Sequence, residues 1–107
     1  MDVRKSVILD SIKDTLQKVL PPGSRAFLFG SQARGDARED SDWDVLILLD
    51  KPKIEANDYD TISYPLVELG WSKKECISPV LYTLKEWLKY HFTPFFNNIK
   101  NEGIQLI

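Results

Sequence analysis

Apolar residues at Val3, Val7, Ile8, Ile12, Leu16, Val19 and Leu20 recur every three or four positions, which predicts an amphipathic helix over residues 3–20. Pro21-Pro22-Gly23 ends it. Ala26-Phe27-Leu28-Phe29 reads as a short buried strand, and Ser31 to about Gly35 as a short helix or turn. A second strand is expected over residues 43–49. Its run Val45-Leu46-Ile47-Leu48-Leu49 is apolar on both faces, as in a central strand covered on both sides. Lys51-Pro52-Lys53 forms a turn, and a helix capped by Asn57 or Asp58 should run to Leu69. Within it, Pro65 either kinks the helix or marks a new start, and Gly70 is a natural stop. Glu75–Tyr82 reads as a third strand whose Pro79 lacks a ladder donor, so an edge position or a bulge is expected. Leu84–Tyr90 is helical, and Thr93-Pro94 opens a last helix ending near Gly103. This order predicts an α/β (α+β) domain with a small mixed β-sheet flanked by helices.

With 107 residues the chain is expected to be one domain over 1–107, large enough for a single core. Its net charge of -2 argues against broad nucleic-acid binding, which calls for a basic face. No apolar run approaches the ~20 residues of a membrane span, and Asp2, Arg4 and Lys5 do not suit a signal peptide. A cytoplasmic location is the expectation. The lone cysteine, Cys76, excludes an internal disulfide and, beside Ile77, reads as a small buried hydrophobe.

The chemistry is concentrated in Gly30-Ser31-Gln32-Ala33-Arg34-Gly35-Asp36 and Ser41-Asp42-Trp43-Asp44. Strand alternation puts Asp42 and Asp44 on one side, where two carboxylates repel unless a divalent cation lies between them. The Gly30-Ser31 turn opens a helix start, where free N–H groups favour a phosphate. A metal site beside an anion site describes a nucleoside triphosphate pocket. Aspartate is depleted in strands, so two at the start of an apolar strand work against local propensity, as functional positions tend to.

Over residues 26–49 these motifs resemble the signature of the DNA polymerase beta-like nucleotidyltransferases, in the form found in the minimal nucleotidyltransferases of bacteria and archaea. The resemblance implies catalytic, metal-holding roles for Asp42 and Asp44 and nucleotide-binding roles for Gly30 and Ser31. Arg34 is a candidate phosphate partner, with a plain surface ion pair to Asp36 as the alternative. Nucleotidyl transfer suits two Mg2+ ions about 3.5–4 Å apart, with ATP as substrate. The resemblance also implies a co-encoded helical HEPN-domain protein as partner, with the chain as antitoxin transferring AMP to it.

The family pattern has a third carboxylate on a later strand, and here that position aligns with Ser78. Glu75, three residues earlier, would fall on the opposite face. This departure keeps two classes of function open: an adenylyltransferase-like enzyme acting on a protein hydroxyl, and a nucleotide-binding module that neutralises or senses through a partner. His91 reads as a partly buried amphipathic residue, Ser41 as a turn former, and Lys73-Lys74 as a solvated turn. Trp71, Trp87, Phe92, Phe95 and Phe96 exceed the packing needs of so short a segment, so some are expected on a surface for association, with a partner or as a homo-oligomer.

Overall fold

The computed structural model describes residues 2–107. Helix α1 (Val3–Val19) is capped by the Asp2 carboxylate, which accepts from the Lys5 N–H at 2.9 Å. Its buried stripe is Ile8, Ile12 and Leu16. Val3 and Val7, which the spacing assigns to the same face, are exposed. They belong to the first two turns, beyond the edge of the core.

Strand β1 (Arg25–Phe29) leads into α2 (Ser31–Arg34), and β2 (Trp43–Leu49) pairs antiparallel with β1, Phe29 opposite Asp44. The third strand is shorter at its start than expected: β3 (Ile77–Thr83) runs parallel to β2 in unbroken register, with Ser78 opposite Asp44. A two-residue strand, β4 (Ile104–Gln105), adds antiparallel to β1, giving the order β3-β2-β1-β4. Pro79 therefore sits on an edge strand without a bulge, where its missing donor costs no ladder bond. Strand β4 had no signal in the pattern, being too short to show a period.

The connection between β2 and β3 is one helical stretch in three parts: α3 (Ala56–Asp58), a π-helical turn (Tyr59–Ser63) and α4 (Tyr64–Ser72). The wider turn ends at Ser63, and Pro65, lacking an N–H, sits in the first turn of the α-helical segment that follows. The cap is Glu55 rather than Asn57 or Asp58: the Glu55 N–H donates to the Asp58 carboxylate at 2.8 Å, and Asp58 also pairs with Lys51 at 2.9 Å. Gly70 does not stop the helix. It lies in the last turn, where a Cβ would meet the Glu75 carbonyl at 2.9 Å, so glycine lets α4 press against the start of β3. Helix α5 (Leu84–Lys89) and α6 (Pro94–Glu102) follow, capped by Thr83 and Thr93, whose hydroxyls accept from the N–H groups of Glu86 and Phe96.

The sheet divides the core in two. Trp43, Val45, Ile47 and Leu49 of β2 pack with Ile8, Ile12 and Leu16 of α1 and Leu66 of α4. Leu46 and Leu48, on the other face, pack with Trp87 of α5 and Ile99 of α6, flanked by Phe27, Phe29, Phe95 and Phe96. By alternation Asp44 shares this second face, at the end of the sheet where β2 and β3 begin.

Candidate active site

Gly30 holds φ +73° and ψ -159°, a conformation essentially reserved for glycine. A Cβ there would collide with the Asp44 carboxylate. The backbone of the Gly-Ser turn and the second acid are thus in direct contact, and no larger residue fits between them. The first N–H groups of α2, at Ser31 and Gln32, precede any intrahelical acceptor and are free to meet an anion.

Asp42 lies close enough to Asp44 to perturb it. The Asp44 carboxyl is held above the ordinary carboxylate range, first by burial and then by the neighbouring Asp42 charge, while Arg34 pulls it back down. Asp42 is exposed and accepts from the Ser78 hydroxyl at 3.4 Å, a long bond. Ser78 thus stands beside both acids, as its sequence alignment requires. Glu75 does not. Its carboxylate is buried against Arg4 of α1 at 3.0 Å, which removes it from the acid pair.

Arg34 pairs with Asp36 at 3.3 Å and with Glu102 of α6 at 3.7 Å, and its side chain is 44% exposed. The ion pair to Asp36 is present, and the guanidinium charge also acts on Asp44, lowering its carboxyl pKa. Ser41 is the turn former it was read as: its hydroxyl accepts from the Arg38 N–H at 2.8 Å. Two residues are more exposed than expected. Cys76 is exposed, one residue before β3, and its thiol is raised first by desolvation and then by Asp42. Ile77 is the buried neighbour, and alternation sends Cys76 the other way. His91 is exposed rather than partly buried, its Nδ1 at 3.0 Å from the Leu88 carbonyl. Lys73 and Lys74 form an exposed turn, and the aromatic excess divides as expected: Trp87 is buried, while Trp71 and Phe92 are exposed.

Sequence reasoning passed over Gln32, the variable position of the Gly-Ser motif. Its side chain is buried, and its Nε2 donates to the Ser41 carbonyl at 3.2 Å. This bond ties the phosphate-type turn to the loop carrying the acids. Among the described residues, no group of three or more histidine, cysteine or acidic side chains forms a metal cage. Two carboxylates on one side suit Mg2+ none the less, because that ion takes one or two protein carboxylates and completes its shell with phosphate oxygens and water. The like-charge strain on Asp44 is what a cation would relieve.

Comparison with known proteins identifies the family. The family model described as a nucleotidyltransferase domain matches residues 9–103. A protein of Methanocaldococcus jannaschii, provisionally named a protein adenylyltransferase, is 34% identical over an alignment of 111 residues that covers 95% of this chain and 90% of the relative. Among solved structures, a chain of a toxin–antitoxin complex with AMP-PNP superposes with a TM-score of 0.61 at 19% identity, covering 92% of this chain and 72% of that one. A chain of the complex between a tri-AMPylated HEPN toxin of Shewanella oneidensis and its MNT antitoxin superposes with a TM-score of 0.57 at 16% identity, covering 96% and 71%. These two share the fold. The family model spans nearly the whole chain, including the Gly-Ser turn and both acids, and the chain accordingly belongs to the nucleotidyltransferase family and is a nucleotidyltransferase.

Proposed function

We propose that this chain transfers AMP from ATP to a hydroxyl of a partner protein, and that the partner is a helical HEPN-domain protein for which it serves as antitoxin. The observation that carries the reading is the contact between Gly30 and Asp44, which joins the turn read as the anion site to the acid pair read as the cation site. The relative named as a protein adenylyltransferase and the fold shared with toxin–antitoxin chains support the acceptor class.

In this reading the Ser31 hydroxyl and the first N–H groups of α2 hold the β- and γ-phosphates, and Gly30 lets them approach the backbone. Asp42 and Asp44 would hold Mg2+, which when bound neutralises phosphate charge and positions the attacking and leaving oxygens. Arg34 adds a positive charge on the phosphate side. The acceptor oxygen forms a bond to the α-phosphorus as the bond to the bridging oxygen of pyrophosphate breaks. Its proton leaves toward water past Asp42, the exposed carboxylate beside Ser78. Catalysis is then mostly positioning and charge neutralisation.

Ser78 favours a second reading, a binding module with weak transfer, because a general base typically contributes about 10²–10⁴-fold. Labelled ATP, Mg2+ and the co-encoded helical protein distinguish the two. Transfer of label to that protein by the parent, abolished in Asp42→Asn and Asp44→Asn, supports the enzyme. Nucleotide-dependent binding of the protein without transfer supports the module, and Ser78→Asp should then restore measurable transfer. Efficient turnover on a small-molecule hydroxyl by the chain alone would overturn the partner-protein reading.

A further inference from the structure

Next to Gly30, on the sheet face that carries the acids, a cavity of about 220 Å³ opens between α2 and α6. It is lined by Phe29 at the end of β1, Gly30, Arg34, and Phe95, Asn98 and Glu102 of α6. The three α6 residues fall at positions i, i+3 and i+7, one face of the helix. Phe29 and Phe95 meet edge to face, ring centroids 5.4 Å apart at 80°, and make the apolar side. Asn98, Arg34 and Glu102 make the polar side. Arg34 and Glu102 face each other at 3.7 Å, and Asn98 is an exposed residue of α6. Such a volume is below the roughly 300–1,000 Å³ of pockets that take a whole small molecule, and suits one planar ring system.

Gly30 borders both this cavity and Asp44, so a nucleotide anchored at the turn has its remaining parts within reach of it. Another cavity, of about 320 Å³ beside Arg4, Trp43 and Glu75, lies on the other side of the sheet, the side to which Trp43 belongs. From this placement, and resting on the nucleotide reading above, we propose that the cavity between α2 and α6 receives the nucleobase, with Phe95 packing against the ring and Asn98 as its hydrogen-bonding partner. An asparagine amide presents a donor and an acceptor side by side, the complement of the acceptor and amino donor on an adenine edge. Glu102, acceptor-only when ionised, adds preference for an exocyclic amine over a carbonyl. The C-terminal helix, which carries none of the motif residues, would thus set base selection.

The test compares Mg2+-ATP with Mg2+-tripolyphosphate, which has the phosphates and no base, by calorimetry on the full chain. The parent should bind ATP more tightly than tripolyphosphate. Asn98→Leu, at an exposed position of similar size, should weaken ATP by about 3- to 10-fold and leave tripolyphosphate unchanged. Phe95→Leu should act in the same direction, with circular dichroism confirming the fold. ATP affinity equal to the parent's in Asn98→Leu, or an equal loss for both ligands, overturns the assignment while the phosphate site stands. A parent that binds ATP no better than tripolyphosphate also overturns it. A parent that binds neither ligand overturns this assignment together with the nucleotide reading beneath it.

Discussion

Replacing Gly30 by alanine isolates the contact on which the site depends. Two costs add. The backbone at φ +73° and ψ -159° lies in a region that non-glycine residues occupy at about 1–3 kcal/mol. The new methyl also meets the Asp44 carboxylate, and overpacking of this kind costs about 1–3 kcal/mol more. The sum, about 2–6 kcal/mol, is large beside the roughly 5–15 kcal/mol that holds a small domain together. Gly35→Ala is the control. Gly35 is left-handed at φ +86° but has nothing within 4 Å of a Cβ, so only the backbone cost of about 1–2 kcal/mol applies. Each kcal/mol should lower the melting temperature by about 4–8 °C at this size. Thermal unfolding should therefore rank the parent above Gly35→Ala and Gly35→Ala above Gly30→Ala. Adding Asp44→Ala to Gly30→Ala should return the steric part and not the backbone part. The reasoning fails if Gly30→Ala melts no lower than Gly35→Ala, or if removing the Asp44 side chain recovers nothing.

Asp44→Asn should stabilise the free protein at neutral pH. The raised carboxyl pKa means that ionisation opposes folding: the stability of the protonated form is complete below the unfolded value of about 3.9 and declines as pH rises through the folded value. Urea unfolding should show a gain for Asp44→Asn at pH 7 that shrinks below about pH 4, and a loss at pH 7 would contradict the burial and repulsion inferred at this site. Asp58 runs the other way. The Glu55 N–H, followed by Lys51, holds its carboxyl below the ordinary range, so its stabilisation is present above the unfolded pKa and is lost as pH falls through the folded one. Asp58→Ala should cost about 1–2 kcal/mol at pH 7, with the gap narrowing in acid. A pH-independent gap would assign the loss to packing instead.

The elements that could be read in advance are those whose side chains obey one local rule. Strand β2 announced its place because five consecutive apolar residues can be satisfied only between two covered faces, and both cores do meet on it. Ser78, aligned through the apolar core of its strand, lies opposite Asp44 in the parallel register against β2. What escaped depended on distant partners. The burial of Glu75 requires Arg4, 71 positions earlier on what reads as the polar face of α1. Gly70 looked like a helix stop because its actual role, close approach to the Glu75 carbonyl, leaves no trace in the pattern. Strand β4 exists because β1 offers it an edge, and Gln105 and Ile104 carry no period of their own.

The same distinction explains why the site's chemistry was more legible than its architecture. Asp42 and Asp44 stood out because they violate what an apolar strand prefers, and a violation of a local rule is visible in one dimension. Gln32 violates nothing that a sequence can show. Only in three dimensions is it a buried amide whose Nε2 reaches the Ser41 carbonyl across the loop that separates turn from acids. Its Oε1 lies buried without a partner, a cost of about 1–3 kcal/mol for a group that an apolar residue would avoid. A side chain kept at that cost is there for the bond it does make. The loop from Gly35 to Ser41 contains no regular structure, and the Gln32 bond ties its far end back to α2. The spacing between phosphate turn and acid pair, which the motif expresses as a number of residues, is held in the folded protein by the β1–β2 register, which sets Phe29 opposite Asp44, and by this buried amide.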